Sequence, residues 1–152
     1  MSFKKFSTVV IVLLGLFVTS LAMAVKPVYV GGKERAAIRG YDPVAYFTEN
    51  KAVKGSPDFS FEYQGATWLF SNEQHRTAFS ADPEKYSPQY GGYCAYAVAS
   101  GRTASIKPEF FTIEDGKLYL NYSRYVYKKW TKDKASYIDS ANEKWPELMD
   151  KK

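Results

Sequence analysis

Aromatic and polar residues alternate over residues 59–63, and this period of two is typical of a half-buried strand. The Gln64-Gly65 pair then turns the chain, so the largely apolar residues 66–70 are predicted to return beside the first strand as a hairpin. Residues 110–113 and 117–121 are predicted to form two further short strands on either side of an Asp-Gly turn. The pattern therefore predicts two antiparallel hairpins.

Between the two hairpins, the sequence carries the marks of a helix start. Ser71 is followed three residues later by Gln74, which is a capping box, and the helix is predicted to continue to about Ser80. Residues 82–86 predict a further short helical turn that begins with Asp-Pro. The earlier apolar stretch Val44–Phe47 follows a turn signal and is predicted as a strand.

The C-terminal part of the chain is predicted to be mostly helical. One helix carries Val126 and Trp130 on a shared face, and the last helix is expected to stop at Pro146. Residues 93–99 are mostly small and apolar, and they fit either a buried helix or a tightly packed turn. Hairpins and helices together predict an α+β fold, with one domain at residues 36–149 that includes a C-terminal helical extension.

The first 24 residues have the order of charged, apolar and small residues that is typical of an export signal. Two lysines are followed by the almost wholly apolar residues 9–18 and by the triplet Ala22-Met23-Ala24, which suits a signal peptidase. We therefore expect cleavage after this triplet, a linker over residues 25–35, and a periplasmic or secreted protein. An uncleaved anchor is the alternative. Because the apolar run is shorter than the roughly 20 residues of a spanning helix, no stable membrane span is expected after cleavage.

The charge of the chain argues against nucleic acid as a partner. The chain has 21 Lys and Arg against 16 Asp and Glu, and loss of the two signal lysines leaves a net charge of +3. The richest basic patch alternates with apolar positions, as is typical of the solvent-facing side of a helix (Lys128, Lys129, Lys132 and Lys134). The sequence has no dense basic block of the kind that binds nucleic acid.

Two motifs of the chain resemble the YHS domain. The first is Asp42-Pro43-Val44, and the second runs from Trp68 to Tyr86 and ends in Asp-Pro-Glu-Lys-Tyr. The resemblance covers roughly residues 40–86, and the later Gly91-Gly92-Tyr93-Cys94 is similar to an exported, single-domain branch of that family. It implies a small fold of hairpin and helix. Family members attached to metal-transporting ATPases carry cysteines for soft metals, but the matching positions here hold other residues (Ala45, Ser71 and His75).

One histidine and one cysteine suggest a substitute metal site. His75 and Cys94 are the only residues of their types, and an imidazole together with a thiolate suits copper or zinc. Asp42 is the third candidate ligand. The same two side chains also fit a thiolate nucleophile beside a base, but no third orienting residue is evident, so the enzyme hypothesis ranks last. The alternatives are an exposed His75 and a Cys94 buried as a small apolar residue.

The aromatic content suggests another kind of binding site. The chain has 13 Tyr, 10 Phe and 3 Trp, and some of them are predicted to line one groove and stack on a flat or sugar-like ligand (Tyr41, Tyr46, Trp68, Tyr93 and Tyr96, with Tyr90 beside them). Filling of the interior is the alternative. The sequence thus predicts an exported module that binds a metal, with copper as the leading candidate, or another small ligand. The competing hypothesis is a non-catalytic structural or interaction protein that docks on an envelope partner through aromatic surface.

Overall fold

The computed structural model describes residues 24–151 and has the α+β fold that the sequence predicts. Its strands form three antiparallel pairs, β1 (Val30–Gly31) with β2 (Ala36–Ala37), β3 (Ser56–Tyr63) with β4 (Ala66–Phe70), and β5 (Phe111–Glu114) with β6 (Lys117–Leu120). Its helices are α1 (Ala45–Thr48), α2 (Glu73–Ala81), α3 (Pro83–Tyr86), α4 (Ala95–Ala99), α5 (Arg124–Thr131) and α6 (Lys134–Asp150). The predicted signal peptide, residues 1–24, lies outside the described residues apart from Ala24. Among the helices of this part of the chain, none has both the length and the apolar composition needed to cross a bilayer.

The β3–β4 hairpin and α2 build the first hydrophobic core. The hairpin pairs Phe61 with Trp68 across its strands, so aromatic residues of the predicted alternation share one face. Phe79 of α2 is buried there, with four ring centroids 5.0–6.1 Å from its own (Phe61, Tyr63, Trp68 and Phe70). Aromatic pairs at these separations add stability beyond the burial of their area. Both predicted hairpins are confirmed.

The apolar stretch Val44–Phe47 is not a strand, contrary to the prediction: Val44 is the N-cap of the helical turn α1, and the following three residues lie within it. The Asp42 carboxylate explains the difference, since its Oδ1 accepts the backbone N–H groups of Val44 at 2.9 Å and of Ala45 at 3.2 Å. Such local side-chain bonds to the backbone favour a turn over an extended strand. The turn carries Tyr46 into the first core.

Helix α2 begins later than predicted because Asn72, not Ser71, caps it. The Asn72 side chain accepts the backbone N–H of His75 at 2.8 Å, as an N-cap residue does. Ser71 instead donates its hydroxyl to Asp42 at 2.7 Å. The short helix predicted over residues 82–86 is confirmed as α3.

The segment predicted as a linker, residues 25–35, packs against the domain from Val28 onward. Val28 is buried, and the backbone N–H of Tyr29 donates to the Gly91 carbonyl at 2.8 Å. Gly91 permits this close approach, because a Cβ at that position would lie 1.9 Å from the Pro27 carbonyl oxygen. Ordered structure therefore begins earlier than the sequence predicted.

Helices α4, α5 and α6 build a second hydrophobic core with β6. Trp130 of α5 is buried against Tyr119 of β6, with ring centroids 5.3 Å apart. Residues 93–99, for which the sequence left a helix or a turn open, contain the short helix α4. Helix α6 continues through Pro146, although the sequence predicted a stop there. The buried Leu148 helps to offset the lost backbone hydrogen bond, because it anchors the last turn in this core.

Candidate functional site

Asp42 is a buried carboxylate that holds the beginnings of α1 and α2 together. Besides the two N–H groups at α1, it accepts three hydrogen bonds at Oδ2: from the Ser71 backbone N–H at 2.9 Å, from the Ser71 hydroxyl at 2.7 Å and from His75 Nδ1 at 2.6 Å. Five donors therefore converge on one carboxylate. They replace the water that burial removes, and they leave the carboxylate no capacity for a ligand.

His75 is held by Asp42 through its Nδ1, and its other ring nitrogen lies near Thr48. Its Nε2 lies 3.4 Å from the Thr48 hydroxyl, which itself donates to the Val44 carbonyl at 3.2 Å. The imidazole is only 13% exposed. We call Asp42, Thr48, Ser71 and His75 the Asp42 cluster. Because protein groups face both ring nitrogens of His75, the cluster acts as a structural connection between α1 and α2.

Cys94 lies in the first hydrophobic core, immediately before α4. Its side chain is 1% exposed, and its Sγ lies 3.6 Å from Oδ1 of the buried Asn121. Burial raises the pKa of the thiol, because the core disfavours the charged thiolate. Since the thiolate is the form that attacks substrates and binds metals, Cys94 matches the alternative of a buried, small apolar residue.

The predicted metal site of His75, Cys94 and Asp42 does not form. Between residues 24 and 151 there is no group of three or more His, Cys, Asp and Glu side chains that could hold a metal ion. His75 and Asp42 do lie together, but donors occupy the carboxylate, and Cys94 is enclosed by the core. A protein-bound zinc ion takes at least three side-chain ligands, which these residues do not supply, and the Cys94 sulfur that a copper ion would need is enclosed by the core.

The aromatic residues predicted to line one groove lie in different environments (Tyr41, Tyr46, Trp68, Tyr93 and Tyr96). Tyr46 and Trp68 are buried in the first core. Tyr93 and Tyr96 pack against aromatic rings of α6, and Tyr41 lines a separate polar depression. The prediction of a single groove from all five is therefore wrong, because local packing divides them between the cores and the surface.

A cleft of about 300 Å³ lies where α6 meets the β3–β4 turn and the segment Ser87–Gly91. We call it the α6 cleft. Its aromatic lining includes Trp68 and Tyr90, which the sequence had singled out, and Tyr63 and Trp145, which it had not. The α6 cleft is thus partly aromatic, as the sequence predicted for a binding groove, but one of its walls is helix α6, which the sequence had not indicated.

Tyr90 lines the α6 cleft in a strained backbone conformation. Its φ of +57° lies in the left-handed region, which residues other than glycine rarely adopt. Its hydroxyl donates to Oδ1 of Asn142 at 2.9 Å, and its ring centroid lies 6.1 Å from that of Trp145. Burial raises the pKa of the phenol, so the side chain is neutral at physiological pH. Strained residues of this kind persist where the surroundings fix them, and they cluster at binding sites.

Pro146 leaves one carbonyl of α6 without its usual helical donor. In an α-helix the carbonyl of residue 142 accepts the N–H of residue 146, but proline has no N–H. Asn142 and Pro146 both line the α6 cleft, so the interruption of the helical hydrogen-bond ladder falls in the part of α6 that borders the cleft. An acceptor without a protein donor is stabilised by water or by a ligand that donates to it.

The α6 cleft combines aromatic surface with neutral hydrogen-bonding groups. Gln64, Ser87, Gln89 and Asn142 supply donors and acceptors, and Glu84 is the one lining side chain with a charge at neutral pH. Glu84, Tyr63 and Tyr90 are the lining side chains of types that transfer protons in enzymes, and no His, Cys or Lys is among the lining residues. The sequence analysis did not predict that α6 lines a cleft, although a proline within a helical pattern signals an interrupted hydrogen-bond ladder.

Comparisons with protein-family models, curated proteins and solved structures found no match to this chain. The resemblance to the YHS domain therefore stays a prediction, which depends on the motifs within residues 40–86.

Proposed function

We propose that this chain is an exported domain of the YHS type that binds a small, hydroxyl-rich ligand, a mono- or disaccharide, in the α6 cleft. The observation that carries the proposal is that the rings of Tyr90 and Trp145 meet in a cleft that is also lined by Asn142 and Pro146, where α6 lacks one backbone N–H donor. Sugars have apolar faces that stack on aromatic rings and hydroxyl groups that form hydrogen bonds. With the export that residues 1–24 predict, this cleft is expected to lie outside the cytoplasm.

The volume and charge of the α6 cleft favour a small neutral ligand. Its volume of about 300 Å³ is at the lower end of the range for ligand pockets. Glu84 is exposed, so no buried charge selects an ion. The amides of Gln64, Gln89 and Asn142 present both donors and acceptors, which suits hydroxyl groups because these also do both.

Metal binding is the weaker hypothesis for this protein. Copper or zinc would have to bind at His75 without Cys94, and with an Asp42 carboxylate that already accepts five hydrogen bonds. Thiol catalysis is weaker still, because the Cys94 sulfur is buried and its pKa is raised.

Titration of the exported protein with neutral sugars tests the proposal. Glucose, N-acetylglucosamine and maltose are the probes, and tryptophan fluorescence follows their binding. Trp68 and Trp130 are buried, whereas Trp145 is partly exposed at the cleft. Its emission is therefore expected to change when a sugar occupies the cleft.

Trp145→Ala is expected to weaken binding of the best probe about fivefold or more, since an aromatic contact contributes about 1 kcal/mol. Because this variant lacks the reporter, its affinity is measured by calorimetry. Tyr122→Ala removes an exposed aromatic ring outside the cleft and serves as the matched control, with affinity unchanged. Failure of all three sugars to bind at tens of millimolar, or equal affinities in Trp145→Ala and the unaltered protein, contradicts the proposal.

A further inference from the structure

The exposed large aromatic side chains of the described region lie together at the beginning of α5. Tyr122 is 50% exposed and Tyr125 is 73% exposed. Other tyrosines of the region, such as Tyr93 and Tyr96, are partly covered by rings of α6. A tyrosine has an apolar body and a polar tip, so this degree of exposure suits a boundary between water and an apolar phase.

The same segment carries positive charge without acidic residues. Residues 122–132 contain four cationic side chains and neither Asp nor Glu. At 100° per residue, the exposed members of α5 and its C-cap fall within an arc of about 140°, while Trp130 points to the core on the opposite side and is buried. We call the exposed set the α5 surface (Tyr122, Arg124, Tyr125, Lys128, Lys129 and Lys132).

Aromatic rings support two cations of the α5 surface. The Lys129 ammonium lies 5.4 Å from the ring centroid of Tyr96, and the Arg124 guanidinium lies 5.6 Å from that of Phe110. Lys128, Lys129 and Lys132 also enclose, with Tyr125, a shallow depression of about 330 Å³. Three of the four cations therefore surround one depression, which the exposed ring of Tyr125 also lines.

Few carboxylates adjoin these cations. Asp133 follows the segment directly, and Glu109 shares the neighbouring depression with Arg124 and Lys128. Glu114 is paired with Lys134 on α6. Four cations against the two remaining carboxylates leave the α5 surface positive.

We propose that the α5 surface docks the protein peripherally on a bilayer that contains anionic phospholipids. The lysines and Arg124 neutralise headgroup phosphates, and Tyr122 and Tyr125 enter the headgroup region. An exposed helix with one sign of charge and projecting rings fits a flat lipid surface better than an extended acidic peptide, which needs a groove or a sheet edge. This docking goes beyond the proposed ligand binding and is independent of it, because α5 does not line the α6 cleft.

Sedimentation with vesicles tests the docking. The protein is used as cells export and process it, and the vesicles contain either phosphatidylcholine alone or phosphatidylcholine with one third phosphatidylglycerol. We expect binding to the anionic vesicles only, with an affinity that falls as the salt concentration rises, because salt screens exposed charges. Equal binding to both vesicle types, or no binding to either, overturns the proposal.

Two matched variants locate the interaction on α5. Lys128→Gln with Lys132→Gln is expected to weaken vesicle binding roughly tenfold or more, since each lysine near an anionic surface contributes several-fold. Lys33→Gln with Lys85→Gln removes the same charge from exposed positions on other elements and serves as the control. An equal loss in both variants overturns the proposal, because net charge alone then explains the binding.

A third variant and a competing polymer distinguish a membrane from an acidic macromolecule. Tyr125→Ser keeps every charge and is expected to weaken vesicle binding several-fold, because the exposed ring no longer enters the headgroup region. Unchanged binding by this variant contradicts the proposed insertion. Binding to polyglutamate without binding to anionic vesicles overturns the proposal and assigns the α5 surface to an acidic polymer.

Discussion

The Asp42 cluster and the α6 cleft both bring several polar groups together, but they differ in how fully those groups are paired. In the Asp42 cluster, one carboxylate accepts five hydrogen bonds, all from the protein. In the α6 cleft, Pro146 removes the helical donor of the Asn142 carbonyl. The Asp42 carboxylate is therefore fully paired within the protein, whereas α6 lacks one backbone donor where it borders the cleft.

The two regions also differ in why their backbone is irregular. Around Asp42, side-chain bonds to the backbone start α1 and fix α2 beside it, so the local geometry is fully explained by folding. At the cleft, the left-handed Tyr90 and the internal proline of α6 both cost free energy, which packing in the second core offsets. Both costs fall on residues that line the α6 cleft, and strained residues are frequent at binding sites.

Asp42→Ala is expected to have the largest effect on the free energy of unfolding, because the Asp42 cluster is structural whereas the α6 cleft is not. We expect the free energy of unfolding to fall by about 3–5 kcal/mol, because several buried N–H groups and the His75 ring lose their acceptor together. Urea denaturation at neutral pH measures the change. Asp58→Ala removes an exposed carboxylate from β3 and is the matched control, with an effect within about 0.5 kcal/mol. A loss no greater than in this control means that the Asp42 cluster is not the structural connection we describe.

Much of the fold followed from local patterns, and the exceptions have physical causes. The alternation at residues 59–63 and the Asp-Gly turn were sufficient for the two hairpins. The failure at Val44–Phe47 arose because one preceding side chain, Asp42, outweighed the apolar pattern. The failure at Pro146 arose because Leu148 is buried beyond it, a tertiary contact that helix-ending rules do not include.

The candidate site was less predictable than the fold. His75 and Cys94 were candidate ligands because each is the only residue of its type. In the fold, His75 belongs to the Asp42 cluster and Cys94 is buried in the core. Separation along the sequence could not reveal this, because the two are joined by no local motif. Tyr90 and Trp145 meet across more than fifty residues, and only the packing of α6 brings them together.

Pro146→Ala tests the second half of the comparison, since stability and ligand affinity are expected to change in opposite directions. Alanine restores the N–H that the Asn142 carbonyl lacks and is a far better helix former, so we expect a gain of about 1–3 kcal/mol in unfolding free energy. The same change occupies the acceptor and should weaken sugar binding several-fold. Thermal unfolding and calorimetric titration measure the two effects.

Glu147→Ala is the matched control for this variant, because it changes the neighbouring exposed position of α6 and leaves the backbone bonding intact. It should alter neither quantity appreciably. If Pro146→Ala stabilises the protein but binds the sugar as tightly as before, the carbonyl is not a ligand group. The α6 cleft would then differ from the Asp42 cluster only in its exposure.

Tyr90→Phe is expected to change the free energy of unfolding least among these variants, and its effect should depend on pH. At pH 8 the loss of the bond from the Tyr90 hydroxyl to Asn142 should cost about 1 kcal/mol. Burial raises the pKa of this phenol above its ordinary value, so above about pH 10 the unfolded chain loses a proton that the folded chain keeps. Stability contributed by Tyr90 is therefore complete below that pH and declines above it, by about 1.4 kcal/mol per pH unit.

The difference in unfolding free energy between the unaltered protein and Tyr90→Phe should consequently shrink as the pH rises from 8 toward 11. Urea denaturation at several pH values measures it. Tyr125→Phe, at a position that is 73% exposed, provides the control for the loss of a phenolic hydroxyl and should cost little, because that hydroxyl lies in solvent. A difference for Tyr90→Phe that stays constant to pH 11 would mean that the phenol ionises as easily in the folded protein as in the unfolded chain. The ring would then be open to water and would not form part of a preformed wall of the α6 cleft.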